Sequence, residues 1–110
     1  MIASAEVGPR DLNAAEELIQ TDVRGMGAVG LQLTGTFVGT VSFECTVDGL
    51  TWVALNMLPP NSATAASSAT TTGAWIANIA GLTAVRARVS AYTSGTVTAT
   101  LVVCAAAGRN

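Results

Sequence analysis

The sequence contains neither histidine nor lysine, and its basic residues are five arginines. Without histidine, the serine and threonine hydroxyls lack the general base that most often activates a nucleophile, and the two cysteines lack the partner that a zinc site would need. Five of the seven acidic residues lie within the first 22 positions, and the acids show neither calcium-loop spacing nor a pair suited to acid–base catalysis. We therefore expect no catalytic residue, no metal and no cofactor, and predict that the protein is not an enzyme.

Clusters of one charge are also missing. The net charge is −2, and the arginines are scattered apart from Arg86 and Arg88, whereas a nucleic-acid-binding protein presents a basic patch to the phosphates. No run approaches the 18 or so apolar residues of a membrane span, and no basic segment precedes an apolar stretch at the N-terminus. We expect no nucleic-acid or membrane partner, and synthesis in the cytoplasm without a signal peptide.

The low charge content bears on partners as well. Charged residues make up 11% of the 110 residues, against about 25% in an average soluble domain. A chain of this length is one domain, and a surface so poor in charge suits a protein that is largely covered by other chains. We expect protein partners, including further copies of the same chain.

Alternating apolar residues and regular glycine turns predict an all-β protein. Seven short strands separated by turns every 8–12 residues are typical of an antiparallel β-sandwich, either immunoglobulin-like or jelly-roll-like. The predicted strands span residues 18–23, 29–34, 41–47, 52–57, 70–79, 84–92 and 96–104. The predicted organisation is an N-terminal arm (1–16), a sandwich domain (17–107) and a C-terminal tail (108–110). Residues 13–20 also have helical character, because Asn13 is a suitable N-cap, so strand and helix both remain open there.

The arm shows no period-2 pattern and has few large apolar residues. Ile2, Val7 and Leu12 are too few to form a core, but they are enough to hold the arm in grooves of a neighbouring chain. We therefore treat these three residues as candidate interface residues.

The stretch Val47-Asp48-Gly49 predicts a tight turn. A three-residue loop pairs Thr46 with Leu50 and brings the apolar residues of both strands onto one face, whereas a loop one residue shorter would put them on opposite faces. In this interpretation Asp48 bonds the local backbone, and Gly49 supplies a positive φ. Both residues are structural.

Two groups of outward-facing residues remain. The favoured register places Trp52 and Glu44 on the face away from Phe43, where Trp52 is either a stacking platform for a ligand or a residue covered by a contact. On another strand Arg86, Arg88 and Tyr92 form a stripe, which is either a solvated strand face or an interface.

The same alternation turns Cys45 inward and Cys104 outward, so both are expected to be free thiols.

Two stretches carry a family resemblance: "LQLTGTFVGTVSFECTVDGLTWVALNM" and "GAWIANIAGLTAVRARVSAYTSGTVTATL". They resemble a β-sandwich module that recurs in virion proteins of tailed bacteriophages and in prophage hypothetical proteins. The match extends from residue 31 to residue 102, and it rests on turn glycines, the tryptophan after the turn and the arginine strand. Cys45 departs from the glycine or serine usual in the family.

The resemblance implies a non-enzymatic structural protein of the virion, made in the host cytoplasm. Its size is similar to that of capsid decoration or cement proteins, which bind the assembled shell, so the implied partners are the major capsid protein or tail proteins. The alternative is a tail, neck or fibre component that binds a carbohydrate or receptor, with Trp52 and Tyr92 as stacking platforms.

Overall fold

The computed structural model describes residues 4–105, which contain strands and turns but no helix. Nine strands are present in this part of the chain: β1 (Ser4–Leu12), β2 (Leu18–Asp22), β3 (Ala28–Thr34), β4 (Phe37–Thr46), β5 (Val53–Ala54), β6 (Ser68–Ala69), β7 (Gly73–Asn78), β8 (Ala84–Gly95) and β9 (Val97–Cys104). Nothing in the described region could therefore cross a bilayer as a helix. The all-β prediction is confirmed.

The strands form two antiparallel sheets. The first sheet has the order β1-β9-β3-β7, and the second has the order β2-β8-β4-β5, with β6 also paired to β4. Strand β8 runs along β4 for almost its whole length, so these two strands form the centre of the second sheet. The arrangement is an antiparallel β-sandwich, as the sequence predicted.

The core lies between the sheets and follows the alternation in the sequence. Along β8, Val85, Ala87 and Val89 are buried, and their neighbours face outward. The aromatic pair Phe43 and Trp75 joins the two sheets, with ring centroids 5.3 Å apart and ring planes tilted by 54°, an arrangement in the preferred range for aromatic contacts.

The predicted arm is wrong for the residues that the structure describes. Ser4–Leu12 is an edge strand of the first sheet, paired with β9 from Ser4 opposite Cys104 to Leu12 opposite Val97. The pairing shifts by one residue between Val7 and Arg10. This irregularity puts Val7 and Leu12 on the same side of the sheet although they are five positions apart, and so it hides the period-2 pattern of a strand. Ile2 and the predicted tail, residues 108–110, lie outside the described residues.

Residues 13–20 form a turn followed by a strand. The amide of Asn13 donates to Glu17 Oε1 at 2.8 Å and the amide of Glu17 donates to the Ala14 carbonyl at 3.4 Å, which makes a single turn before β2 begins. Of the two alternatives left open by the sequence, the strand is observed from Leu18 onward.

The hairpin after β4 keeps the predicted faces but not the predicted loop. Glu44 pairs with Ala54 and Cys45 with Val53, two positions away from the expected register. Because a shift of two residues preserves the side-chain faces, Trp52 still lies on the same side as Glu44. The predicted three-residue loop, with Thr46 opposite Leu50, is wrong, since the loop is longer.

Candidate functional site

The longer loop is organised by one carboxylate. Asp48 Oδ1 accepts hydrogen bonds from the amides of Leu50 and Thr51, both at 2.8 Å, and from the Thr46 hydroxyl at 3.1 Å. These bonds, led by that of Thr51, lower the pKa of Asp48 to about 2. Gly49 adopts a φ of 81°, the positive value that the turn prediction required. Asp48 and Gly49 are therefore residues of a turn.

Trp52 follows this turn and lies on the outer face of the second sheet. Four charged side chains contact one another on the same face. Glu44 Oε1 accepts from Arg86 Nε at 2.7 Å and from Arg88 Nε at 3.1 Å, and Glu44 Oε2 accepts from Arg88 Nη2 at 3.0 Å. Arg88 Nη1 also donates to both carboxylate oxygens of Glu16 at 2.9 Å. We call Glu16, Glu44, Arg86 and Arg88 the ion-pair network.

The centre of the network is shielded from water. The side chains of Glu44, Arg86 and Arg88 are 15%, 18% and 23% exposed, whereas that of Glu16 is 68% exposed. Hydrogen bonding by Arg88 lowers the pKa of Glu44 against the opposing effect of burial, and Arg86 adds to the lowering. The two negative carboxylates and the two positive guanidinium groups cancel in charge, so the network presents no net charge to a partner.

Sequence analysis missed Glu16, which enters the network from the turn before β2. Its φ is 71°, a left-handed value that is uncommon for residues other than glycine. The Glu16 amide donates to the Val89 carbonyl at 2.8 Å, and the Val89 amide donates to the Glu17 carbonyl at 2.9 Å. These two bonds attach the turn to β8 and place the carboxylate beside Arg88, 72 positions along the chain. No local pattern signals such a distant contact.

Trp52 rests on the network. The Arg86 guanidinium carbon lies 4.1 Å from the centroid of the Trp52 ring, within the range of a cation–π contact. Trp52 and Glu44 lie on the same face as predicted, and Arg86 lies between them and contacts both. An open cavity of about 220 Å³ is lined in part by Trp52 and reaches the end of β2.

The remaining candidate interface residues do not join this site. Tyr92 lies further along β8, where its hydroxyl donates to the Gly95 carbonyl at 3.0 Å. Leu12 is fully buried in the sandwich and Val7 packs partly buried against it. The predicted role of Leu12 as a contact to a neighbouring chain is wrong, because Leu12 is fully buried in the core of its own domain. The predicted contact of Val7 stays a prediction.

The outer face of the first sheet has a different character. Across this face Val102 lies opposite Glu6 on one side and Gly30 on the other, and Gly30 lies opposite Ile76. Val102 and Ile76 are 43% and 52% exposed, and Leu58 continues the row through a bridge to Ile76. Strands β3, β7 and β9 contain no charged residue. Glu6 on β1 borders this surface, and Gln32 and Thr100 lie beside it. We call the row of Val102, Gly30, Ile76 and Leu58 the apolar face.

Candidate metal ligands and thiols are few in the described part of the chain. Residues 4–105 contain no group of three or more His, Cys, Asp or Glu side chains that could hold a metal ion. Cys45 and Cys104 are free, the first buried in the second sheet and the second half-buried in the first. Burial raises the pKa of the Cys45 thiol, which disfavours the reactive thiolate.

Solved structures show the same fold. The chain is similar to the SPBc2 prophage-derived protein YomS, with 18% identity and a TM-score of 0.77 over 94% of this chain and 95% of that one. It is also similar to the PBSX exported protein XepA, with 20% identity and a TM-score of 0.76 over 94% of this chain. The match covers 39% of XepA, so the chain corresponds to less than half of that protein. No protein-family model and no curated protein matches the sequence.

Proposed function

We propose that the protein is a non-enzymatic structural component of a phage-related particle, and specifically a capsid decoration protein that binds the assembled shell. The observation that carries the proposal is the contrast between the two outer faces: the second sheet has its charges paired internally, and the first carries a row of exposed apolar side chains on strands without charged residues. The shared fold with the prophage-derived YomS, over nearly the full length of both chains, supports the phage setting.

The apolar face is the surface that we propose to meet the shell. Val102, Ile76 and Leu58 are exposed there, and strands without charged residues can be covered with little cost of desolvation. A protein that binds the assembled lattice and not the free subunits stabilises the lattice by mass action. Decoration therefore requires no catalysis and no cofactor, only a surface of this kind.

Particle fractionation tests the proposal. Particles from induced cells that carry the gene are separated into shells and tails, and the protein is followed in each fraction. Recovery with the shells supports capsid decoration, and absence from both fractions contradicts a particle role. In the same assay Val102→Asp should lose most of its shell binding because it places a charge in the contact, while the uncharged Val102→Thr should retain it.

A second candidate function is a tail, neck or fibre component that binds a carbohydrate. The specific observation in its favour is Trp52 beside an open cavity. Recovery of the protein with tails and not with shells would favour this candidate.

A further inference from the structure

The cavity beside Trp52 arises from one small residue in a row of larger ones. Ala84 pairs with Asp22 on one side and with Thr46 on the other. Its methyl group forms a recessed floor next to the much larger Arg86, two positions along the same strand. Trp52 lines one side of the recess, and the chain around Asp22 lines the opposite side.

The Trp52 side chain is fixed in position by its contact with Arg86. Arg86 stacks on the Trp52 ring at 4.1 Å, and its Nε is fixed by Glu44 at 2.7 Å. Trp52 lines the cavity and Arg86 does not, so the guanidinium leaves part of Trp52 open to the cavity. Trp52 is therefore held in a fixed position beside the cavity, which limits the ordering cost of binding.

The opposite wall carries both donors and acceptors. Asp22 Oδ2 accepts from Arg24 Nη1 at 3.1 Å and Asp22 Oδ1 accepts from the Arg24 amide at 2.8 Å. Both side chains are more than 60% exposed, and Gln20 adds an exposed amide. A carboxylate, a guanidinium and an amide have more hydrogen-bonding sites than these two bonds use.

The charges on this wall select the class of ligand. Asp22 and Arg24 cancel one another, so the wall offers no net attraction to an anion or a cation. An aromatic surface facing a neutral set of donors and acceptors suits a ligand with one C–H face and several hydroxyls. A cavity of about 220 Å³ lies below the roughly 300–1,000 Å³ of drug-sized sites, which limits the ligand to a single ring.

We propose that this cavity binds one neutral sugar ring, as a terminal residue of a glycan. Trp52 contacts the C–H face of the ring, and Asp22, Arg24 and Gln20 exchange hydrogen bonds with its hydroxyls. The inference rests on the second candidate function and is independent of capsid decoration. Tyr92, which the sequence grouped with Trp52 as a stacking platform, has no part in the site, because the Tyr92 side chain lies towards the other end of β8.

The test is an NMR titration of the purified full-length protein with glucose, galactose, mannose and N-acetylglucosamine, and with glucuronic acid as a charged comparison. The protein has two tryptophans, and Trp75 is buried in the core. Binding at the cavity should shift the indole N–H signal of Trp52 and leave that of Trp75 in place. The proposal is overturned if no neutral sugar shifts the Trp52 signal, or if glucuronic acid binds more tightly than every neutral sugar.

Three variants locate the site. Trp52→Ala should weaken binding about tenfold or more, which corresponds to the loss of one good contact. Ala84→Leu should also weaken sugar binding about tenfold or more, because the larger side chain fills the bottom of the cavity while Trp52 is kept. This second variant provides the test if Trp52→Ala fails to fold. Tyr92→Ala, an aromatic control towards the other end of β8, should bind as the unmodified protein does. Unchanged sugar affinity in a folded Ala84→Leu variant would contradict the assignment.

The outcome is distinguishable from that of the particle experiment. Absence of sugar binding in a protein that still fractionates with particles overturns this inference alone. Sugar binding by a protein that is absent from particles supports the site and contradicts only the particle role.

Discussion

The outer face of the second sheet holds its charges in fixed pairs, whereas the outer face of the first sheet carries no charged residue on β3, β7 or β9. Glu44 is enclosed by two arginines on the charged side. On the apolar side Val102 and Ile76 flank Gly30, with nothing from the described residues 4–105 covering either side chain fully. Both faces come from the same two-residue alternation.

The difference shows how a chain with 11% charged residues distributes them. The charged side chains of the network are largely withdrawn from water and bonded to one another, so they act within the domain. The apolar face has no comparable internal role, and exposed apolar surface of this kind commonly marks a contact with another protein. Substitutions on the two faces should therefore distinguish residues that stabilise the domain from residues that are free to contact a partner.

The largest effect is expected inside the first sheet. Leu12→Ala should lower the free energy of unfolding by about 2–5 kcal/mol, because Leu12 is fully buried and its truncation leaves a cavity. Glu6→Ala, on the outer side of the same strand, is the matched control and should have little effect. Urea denaturation measures both. If Leu12→Ala lowered the free energy of unfolding as little as Glu6→Ala does, β1 would not be part of the core. For the same reason, deletion of residues 1–12 should leave the chain unfolded.

The second effect concerns the centre of the ion-pair network. Glu44→Ala leaves Arg86 and Arg88 adjacent without their shared counter-charge, and it should cost about 1.5–3 kcal/mol, the range for hydrogen bonds to charged groups. Glu16→Ala removes an exposed partner of the same network and should cost at most about 1 kcal/mol. Thermal denaturation at low and high salt would distinguish them; a larger loss for Glu16→Ala would contradict the assigned burial.

The third effect tests the turn that presents Trp52. Gly49→Val should cost about 1–2 kcal/mol, because a branched residue is strained at a φ of 81°. Gly49→Asn is the control, since asparagine tolerates this conformation. Apart from its two chain neighbours, the protein leaves open space where a β-carbon of residue 49 would lie, so the loss reports mainly backbone strain. Equal melting temperatures for the two variants would argue against the left-handed turn.

A smaller effect follows from the pKa of Asp48, which is lowered from 3.8 to about 2 by the hydrogen bonds of the turn. A carboxyl group whose pKa is lowered by folding stabilises the folded state at every pH above its pKa in the unfolded chain. That contribution is lost as the pH falls from about 4 to about 2. Asp48→Asn should therefore lack this part of the acid dependence. Melting temperatures of both proteins across that pH range provide the measurement, and parallel curves would refute the assignment.

The smallest effect is expected on the apolar face. Ile76→Thr keeps a branched, strand-forming side chain at an exposed position and should change the free energy of unfolding by no more than about 0.5 kcal/mol. Under the same urea conditions, a loss comparable to that of Leu12→Ala would mean that this face contributes to folding and is not reserved for a partner.

Alternation in the sequence was sufficient to determine the fold class and the faces of the central strands. It placed Arg86 and Arg88 outward between buried neighbours, and it put Trp52 with Glu44 even though the loop between their strands was predicted too short. Side-chain faces depend only on whether the register is even or odd, so they survived an error of two residues.

Tertiary structure alone decided the role of the N-terminal segment and the partners in the network. The irregularity between Val7 and Arg10 breaks the local period, so only pairing with β9 reveals that residues 4–12 form a strand. Glu16 meets Arg88 because the turn before β2 is hydrogen-bonded to β8, a contact between residues 72 positions apart. Periodicity reports which side of a strand a residue faces, but the identity of its neighbours across a sheet depends on chain folding over long distances.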